Sequence, residues 1–160
     1  MPTVDLEALN AGFQEFIPHN KALGLRITRV GTEPAWAELC LPWDERLIGN
    51  PDTRALHGGV LSTLLDTAGG AAVYLALKEP MPIATLDLRV DFLGPPTPEQ
   101  PVYARAECVK TTRNVAFVRM TASHAPDGPP LATASATYML STRGKSVTPK
   151  EVATSAMEEP

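Results

Sequence analysis

The sequence predicts an α+β fold in which one curved antiparallel sheet wraps around one very apolar helix. Three observations lead to this prediction. Residues 57–78 keep a helical period of apolar residues with hardly a charge among them, and residues 84–140 hold four segments in which apolar and polar residues alternate. The last three segments are joined by short turns, which is typical of antiparallel neighbours. A helix this apolar must be buried, and a sheet that covers it satisfies that need.

Composition limits the class of protein. The chain has 160 residues, of which 44% are hydrophobic and 20% charged, so one globular domain with a real core is expected. The net charge of -4 offers no broad basic surface for nucleic acid or for an anionic membrane. The N-terminus lacks a basic segment followed by an apolar run, which predicts a cytoplasmic protein. Cys40 and Cys108 stand alone in apolar stretches without CxxC spacing, so both are predicted to be buried, reduced core residues.

An amphipathic helix and two strands are predicted before the central helix. The helix falls within residues 1–18, stops before Pro18 and lies on the outside of the domain. Its periodicity is carried by Leu6, Leu9, Phe13 and Phe16. The strands are GLRITRV at 24–30 and AWAELCL at 35–41, and a polar loop follows them.

The central helix is predicted from His57 to Lys78. Its apolar positions are Val60, Leu61, Leu64, Leu65, Ala68, Ala72 and Leu75. The helix contains two glycine pairs, Gly58-Gly59 and Gly69-Gly70, and each glycine weakens a helix by about 1 kcal/mol relative to alanine. We therefore expect a close backbone approach at these pairs.

Four strands are predicted after the helix. They lie at 84–93, 102–111, 115–124 and 131–140. Apolar and polar residues alternate in the first of them, which predicts one dry and one wet face. The apolar set is Leu86, Leu88, Val90 and Phe92, and the polar set is Thr85, Asp87, Arg89 and Asp91. The domain is expected to span 19–141, followed by a polar tail at 142–160 that is either disordered or holds a short helix capped at Thr148.

Two glycines at the first turn of the central helix indicate a site for a developing negative charge. The first N–H groups of a helix have no partner inside it, and the helix dipole adds positive charge there. We expect the Gly58 N–H to stabilise an oxyanion. The alternative is that Gly58 and Gly59 only allow close packing.

Asp66 is the only charged residue between His57 and Lys78. A buried carboxylate without a partner is costly, so Asp66 is either a catalytic nucleophile or base, or a structural residue bonded to Ser62 or to a neighbouring chain. It follows Gly58 by eight residues, or about 12 Å along a helix, too far for both to act on one carbonyl. Two antiparallel copies of the helix across a dimer axis would bring them together, so such a site requires at least a homodimer.

Three further polar residues are candidates near this site. His57 can bond an acyl carbonyl, a thiolate or the loop before it. Asn50 can offer its amide to a thioester oxygen or a water, or form only a turn, and Thr85 can hold a water from the wet face of its strand or near it. His19 and His124 lack a recognisable partner, and GxSxG, GxxxxGK and GxGxxG motifs are absent from the sequence. Acyl transfer by a carboxylate and a helix N-terminus is what remains.

The segment LHGGVLSTLLDTAGGAAV at 56–73, with Asn50 seven positions before His57 and Asp66 nine after it, resembles the hot-dog thioesterase superfamily. Within that superfamily it is similar to the phenylacetate-degradation (PaaI-like) branch. The similarity runs from IPHNKALGLRI near residue 17 to LATASATYML ending at residue 140 and so covers most of the chain.

The resemblance implies a hot-dog fold and a homodimer, often paired again into a tetramer, that hydrolyses acyl-coenzyme A without metal or organic cofactor. It implies active sites shared between subunits, with Asp66 as nucleophile or general base and Gly58 as donor to the thioester carbonyl. In this reading Asn50 orients carbonyl or water, Thr85 assists the attacking water, and His57 has a positioning role. Three residues are then expected at the substrate, with Arg113 near the nucleotide end of coenzyme A. They are Gly59, Arg113 and Asn114.

Two other functions remain open at this point. The same fold could hydrate or dehydrate an enoyl thioester with His57 and Asp66 as the acid-base pair, which would leave the thioester intact. Alternatively, the protein could be a non-catalytic module that binds or senses acyl-coenzyme A.

Overall fold

A six-stranded antiparallel sheet and one long helix form the frame of the protein in the computed structural model, which describes residues 5–77 and 81–140. The helices are α1 (Leu6–Phe16), α2 (Pro18–Leu23) and α3 (Gly58–Ala76), with a 3-10 helix at Glu45–Leu47. The strands are β1 (Arg26–Thr32), β2 (Ala35–Leu41), β3 (Ile48–Asn50), β4 (Ala55–Leu56), β5 (Ile83–Phe92), β6 (Val102–Thr111), β7 (Val115–Ser123) and β8 (Pro130–Leu140). The predicted tail at 142–160, with its short helix, lies outside the described residues.

The strand order of the sheet is β1-β2-β6-β7-β8-β5, and every neighbouring pair is antiparallel. Strands β3 and β4 form a separate small hairpin just before α3. The predicted α+β class is confirmed, and so is the hot-dog arrangement of sheet and central helix.

Helix α3 is central because its apolar face packs on the inner face of the sheet. Its buried residues are Leu61, Leu64, Leu65, Ala68, Gly69, Ala72 and Val73. The facing strands β6, β7 and β8 contribute mostly alanines, namely Ala104, Ala106, Ala116, Ala122, Ala132, Ala134 and Ala136. Small side chains on the sheet let the helix approach closely. In the described ranges α3 alone is long and apolar enough to cross a membrane, but its buried face already belongs to this core.

The two edges of the sheet differ in what lies beside them. Helix α1 covers the β1 edge, because the Asn10 side chain donates to the Ile27 carbonyl at 2.9 Å and accepts from the Ile27 N–H at 2.8 Å. Gln14 Nε2 also donates to the Leu25 carbonyl at 3.0 Å. Asn10 thus takes the place that a further strand would occupy. The β5 edge has no strand beside it in the described part of the chain.

A β-bulge in β5 corrects the predicted faces of this strand. The register with β8 shifts between Thr85 and Asp87, so that Leu86 is the extra residue. The bulge reverses the alternation, and Thr85, opposite Tyr138, turns to the helix side instead of the predicted wet face. Leu86, predicted on the dry face, is 51% exposed. Those two predictions are wrong because alternation assumes an uninterrupted strand.

Other local features also differ from the predictions. Helix α2 and the β3–β4 hairpin were not expected, because elements of two to six residues carry no periodic pattern. His57 is the N-cap of α3, and the last helical residue is Ala76, whereas Lys78 lies outside the described residues. Cys40 and Cys108 are half-buried, contrary to the prediction, and Cys40 lies on the outer face since it alternates with inward residues of β2.

Glu38 is a buried charge on the outer face that the strand pattern did not reveal. It is 3% exposed and accepts hydrogen bonds from Arg29 and from the Thr28 hydroxyl at 2.8 Å. Burial alone raises the pKa of this carboxyl, but the hydrogen bonds from Arg29 and Thr28, with the charges of Arg29 and Arg105, outweigh it. The net pKa of Glu38 therefore lies below its ordinary value of 4.5.

A lowered pKa in the folded state predicts acid sensitivity through Glu38. The ionised carboxylate stabilises the fold above its ordinary pKa, and this contribution is lost as the pH falls through the folded-state pKa. We expect Glu38→Gln to lower the free energy of unfolding by about 1 kcal/mol at pH 7, a small value because Arg29 is half exposed. Urea unfolding should show this difference shrinking at acid pH. Glu107→Gln, on the same face, is the control, and an equal loss in both variants would contradict the prediction.

Candidate active site

The start of α3 presents one free backbone amide. The His57 ring Nδ1 accepts the Gly59 N–H at 2.9 Å, and the His57 carbonyl accepts the Val60 N–H at 3.0 Å. The Gly58 N–H has no acceptor among the described residues. Of the two glycines, Gly58 therefore keeps its donor available, whereas the amide of Gly59 is occupied by the capping histidine.

The β3–β4 hairpin holds this helix start in place. The His57 N–H donates to the Leu47 carbonyl at 2.9 Å. Gly49 packs so closely that a Cβ there would lie 2.7 Å from the His57 Cα. Asn50 follows Gly49, and its Oδ1 accepts the N–H groups of Asp52 at 2.9 Å and Thr53 at 3.4 Å. Asn50 thus forms a turn, and its side-chain NH₂ group has no acceptor within the described ranges.

The Asp66 carboxylate is held on one of its two oxygens. Oδ1 accepts the Thr85 hydroxyl at 2.9 Å and is 3.2 Å from the Tyr138 hydroxyl, which also donates to the Asp66 carbonyl at 2.8 Å. Ser62, the structural partner considered from the sequence, donates instead to the Gly58 carbonyl at 3.2 Å. In the described part of the chain no cation pairs with Asp66 and no donor reaches its Oδ2. Oδ2 is therefore available for chemistry.

Tyr138 is a site residue that the sequence analysis missed. Its side chain is 2% exposed, and burial, followed by the charge of Asp66, raises the pKa of its hydroxyl far above the usual range. A Cβ at position 69 would lie 2.2 Å from the hydroxyl oxygen, so Gly69 makes room for it, which confirms the expected close approach at this glycine. The sequence feature that could have predicted its role is a single tyrosine at an inward position of the alanine-rich strand β8.

Arg113 and Asn114 form the exposed turn between β6 and β7. The Thr112 N–H donates to the Val115 carbonyl at 2.8 Å, and the Asn114 carbonyl accepts the Leu140 N–H at 2.8 Å. This turn lies at the same end of the sheet as Thr85, two strands away from β5. It does not lie next to the start of α3.

A cleft of about 370 Å³ opens beside the helix start. Its apolar wall comes from α2, the 3-10 helix, β3 and α3, and consists of Leu23, Leu47, Ile48 and Val60. His57, Gly59 and Thr63 line the side toward α3, and His19 and Arg46 complete the rim. Helix α2, absent from the predictions, therefore shapes a cavity next to the candidate oxyanion donor.

Gly58 and Asp66 do not meet within one chain. A Cβ on Gly58 would contact the Phe92 ring at 3.4 Å, near the end of β5, whereas Asp66 contacts Thr85 near its start. The two groups thus lie at opposite ends of the same strand, in agreement with their separation of about 12 Å along the helix. A carboxylate and a helix-start amide are groups that acyl transfer can use without a serine or cysteine nucleophile.

Comparison with known proteins identifies the family. The model of the Thioesterase superfamily matches residues 54–130. The medium/long-chain acyl-CoA thioesterase YigI of Salmonella typhimurium is 31% identical over 148 residues, which cover 84% of this chain and 93% of that protein. A Halobacterium salinarum protein named as an esterase is 45% identical over 60 residues, but these are only 36% of this chain and 40% of that protein.

Solved structures agree with this result. A thioesterase family protein of Silicibacter pomeroyi has a TM-score of 0.73 and 32% identity, covering 86% of this chain and 98% of that one. A phenylacetic acid degradation-related protein of Ralstonia eutropha has a TM-score of 0.67 and 30% identity, covering 76% and 89%. The chain belongs to the thioesterase superfamily, a family of thioester hydrolases, and the resemblance inferred from the sequence is confirmed.

Proposed function

We propose that this protein hydrolyses acyl-coenzyme A thioesters as a homodimer, with each active site built from Gly58 of one subunit and Asp66 of the other. One observation carries the proposal. Among the residues that the structure describes, the one charged side chain of α3 has one oxygen contacted by hydroxyl groups and the other without a donor, and the first amide of the same helix has no acceptor. These are the two parts that acyl transfer requires, a base or nucleophile and an oxyanion donor.

The sheet edges support a twofold dimer through β5. Asn10 and Gln14 block the β1 edge, whereas no described strand pairs with the outer edge of β5. Exposed apolar side chains lie on β5 and directly after it. The exposed apolar residues of this edge are Leu86, Phe92 and Leu93, at 51%, 53% and 58%. Pairing of two β5 strands would extend the sheet, cover these side chains and set two α3 helices antiparallel. The family resemblance extends this to a pair of dimers.

In the proposed reaction the Gly58 N–H donates to the thioester carbonyl oxygen and stabilises the negative charge that develops there. Oδ2 of Asp66 from the partner subunit takes a proton from water, whose oxygen adds to the carbonyl carbon. The tetrahedral intermediate then breaks its C–S bond, and the thiolate leaves and takes up the proton. If Oδ2 attacks the carbon directly, the C–S bond breaks, the thiolate leaves and an acyl-aspartyl anhydride forms. Water then hydrolyses the anhydride to the free acid and the Asp66 carboxylate, and the proton released is taken up by the thiolate.

The remaining predicted site residues receive supporting roles. Thr85 fixes Oδ1, and the free amide of Asn50 is available to orient water or the carbonyl. Since His57 Nδ1 is an acceptor, the neutral ring carries its proton on Nε2 and can donate to the substrate. Gly59 and the Arg113-Asn114 turn are proposed to contact coenzyme A, the turn at its nucleotide end.

The capping geometry of His57 disfavours an enoyl hydratase in which His57 is the base of the acid-base pair. A histidine base needs a lone pair on the nitrogen that faces the substrate. With Nδ1 already accepting the Gly59 N–H at 2.9 Å, a lone pair on Nε2 would require both nitrogens to act as acceptors, which a neutral imidazole cannot do. His57 is therefore suited to cap and donate, and not to remove a proton.

We place the reaction in the cytoplasm, without metal or organic cofactor. The proposed acyl group is of medium or long chain. The name of the YigI relative and the apolar wall of the cleft beside His57 both support this acyl chain length. The acyl chain length is tested with a panel of acyl-coenzyme A compounds whose acyl groups have about two to sixteen carbons. Thiol release is followed with a thiol-reactive dye. We expect release of both free acid and coenzyme A. Tight binding without thiol release, or hydration with the thioester intact, would reject the proposal.

Introducing a charge at the open edge should separate the subunits. Leu86→Asp would bury a carboxylate in the proposed interface twice, once on each side of the axis, so we expect monomers with at least about tenfold lower thiol release. Light scattering measures the mass, and circular dichroism checks that the monomer is folded. Phe117→Asp, an exposed apolar residue of β7 at 39%, is the matched control. A Leu86→Asp dimer of full activity would contradict this interface.

A further inference from the structure

Tyr138 contacts Asp66 from the inward face of β8. Its hydroxyl donates to the Asp66 carbonyl at 2.8 Å and lies 3.2 Å from Oδ1. Thr85, the cross-strand partner of Tyr138 on the neighbouring strand β5, donates to the same Oδ1 at 2.9 Å. Two paired residues of adjacent strands thus converge on one carboxylate oxygen, and neither contacts Oδ2.

We infer that Tyr138 is a positioning residue for the thioester hydrolysis proposed above: it anchors the backbone of Asp66 and packs against Oδ1, so that Oδ2 faces the substrate. The Thr85 hydrogen bond to Oδ1, with the Tyr138 hydroxyl beside the same oxygen, fixes the rotamer of the side chain. Because Tyr138 is 2% exposed, its hydroxyl is in the core and is not a group that substrate would reach. It acts through Asp66 and does not touch the acyl group.

The surrounding packing is specialised for this hydroxyl. Gly69 lies one helical turn after Asp66, and any larger residue there would place a Cβ 2.2 Å from the Tyr138 oxygen and 3.0 Å from Met120 Sδ. The inward neighbours of Tyr138 on β8 are Ala136 and Leu140, so its hydroxyl is the polar side-chain group of an otherwise apolar inward face of this strand. A tyrosine needed only for volume would not require a glycine facing its oxygen.

The Tyr138 hydroxyl keeps its proton at neutral pH. Burial, and then the nearby charge of Asp66, raises its pKa above the ordinary value. From β5 the facing group is the Thr85 hydroxyl, which does not titrate, and α3 itself carries no other described charge. No described cation pairs with Asp66. Tyr138 and Thr85 are thus the described side chains that contact its carboxylate.

The test is Tyr138→Phe, which removes the hydroxyl and keeps the ring. We expect kcat to fall about tenfold with KM changed less than about twofold, because a carboxylate without its anchor no longer holds Oδ2 toward the bound thioester. Tyr103→Phe, on the outer face of β6, is the matched control and should behave as wild type. A Tyr138→Phe enzyme with unchanged kcat, or with an activity loss that only follows its unfolded fraction, would overturn the inference.

A second measurement does not depend on turnover. The side chain of Asp66, labelled with ¹³C, is followed by NMR relaxation in wild type and in Tyr138→Phe at one neutral pH. A side chain that samples several rotamers in the variant but one in the wild type supports the positioning role, and equal order in both rejects it. If the wild type releases no thiol from any acyl-coenzyme A, the proposed function fails, while this measurement still decides whether Tyr138 positions Asp66.

Discussion

Asp66→Asn is expected to lower the rate of thiol release about 10²- to 10⁴-fold, which is the range for removal of a positioned base. The substitution keeps the shape of the side chain and its contact with Thr85, but it removes the charge on Oδ2. Since no described cation pairs with Asp66, the variant leaves no opposite charge buried without a partner. The fold should therefore survive, and kcat should fall far more than KM rises. Steady-state kinetics with the best acyl-coenzyme A substrate measures both.

The matched control is Asp87→Asn, the same substitution two residues after Thr85 but on the outer face of β5. It should retain wild-type kinetics. If Asp66→Asn turned over at the wild-type rate, the carboxylate would have no part in the reaction, and the helix-start amide would need a different partner.

Gly58→Pro is expected to lower kcat about 10²- to 10³-fold, the cost of removing one oxyanion donor. Proline lacks the backbone N–H, and Gly58 is the first residue of α3, where a helix tolerates proline best. His57, the residue before it, has φ -65° and ψ 135°, which a following proline accepts. The variant therefore deletes the proposed donor with little expected change in the helix. Thermal unfolding checks that the stability is kept.

Gly58→Ala separates the amide from the side chain. Its added Cβ would meet the Phe92 ring at 3.4 Å, as would that of proline, but the N–H remains. We expect alanine to retain activity within about threefold of wild type, since that contact is a tolerable one. Equal losses in the alanine and proline variants would indicate a packing role for Gly58 and reject the oxyanion role.

The main elements of the fold follow from the sequence because two periodicities are strong. The charge-free helical period around Leu61, Leu64 and Leu65 predicts a buried helix, and the alternating segments up to residue 140 predict an antiparallel sheet that covers it. The candidate residues of the helix also follow from the sequence, since a lone carboxylate and a glycine pair are anomalies in such a helix. Asn50 and Thr85 were candidates with ordinary structural alternatives, and only the family resemblance assigns them a role in the site.

The features that escaped prediction depend on contacts between distant segments. The bulge that turns Thr85 toward Asp66 comes from the pairing of β5 with β8 and leaves no mark in the alternation of residues 84–93. Tyr138 reaches Asp66 across 72 positions of sequence, and its role depends on the space above Gly69. The buried state of Glu38 likewise depends on its neighbours in β1. Pattern reading gives faces and periods, whereas such contacts require the assembled sheet.

The most direct test of a shared active site is a heterodimer of two inactive variants. Asp66→Asn and Gly58→Pro subunits with different tags are co-expressed, and the mixed dimers are isolated over both tags. Each mixed dimer has one site with intact Gly58 and Asp66 and one site that lacks both, so we expect about half of the wild-type rate per dimer, although each parent is inactive. A mixed dimer as inactive as its parents would contradict the central claim that the amide and the carboxylate of each site come from different subunits.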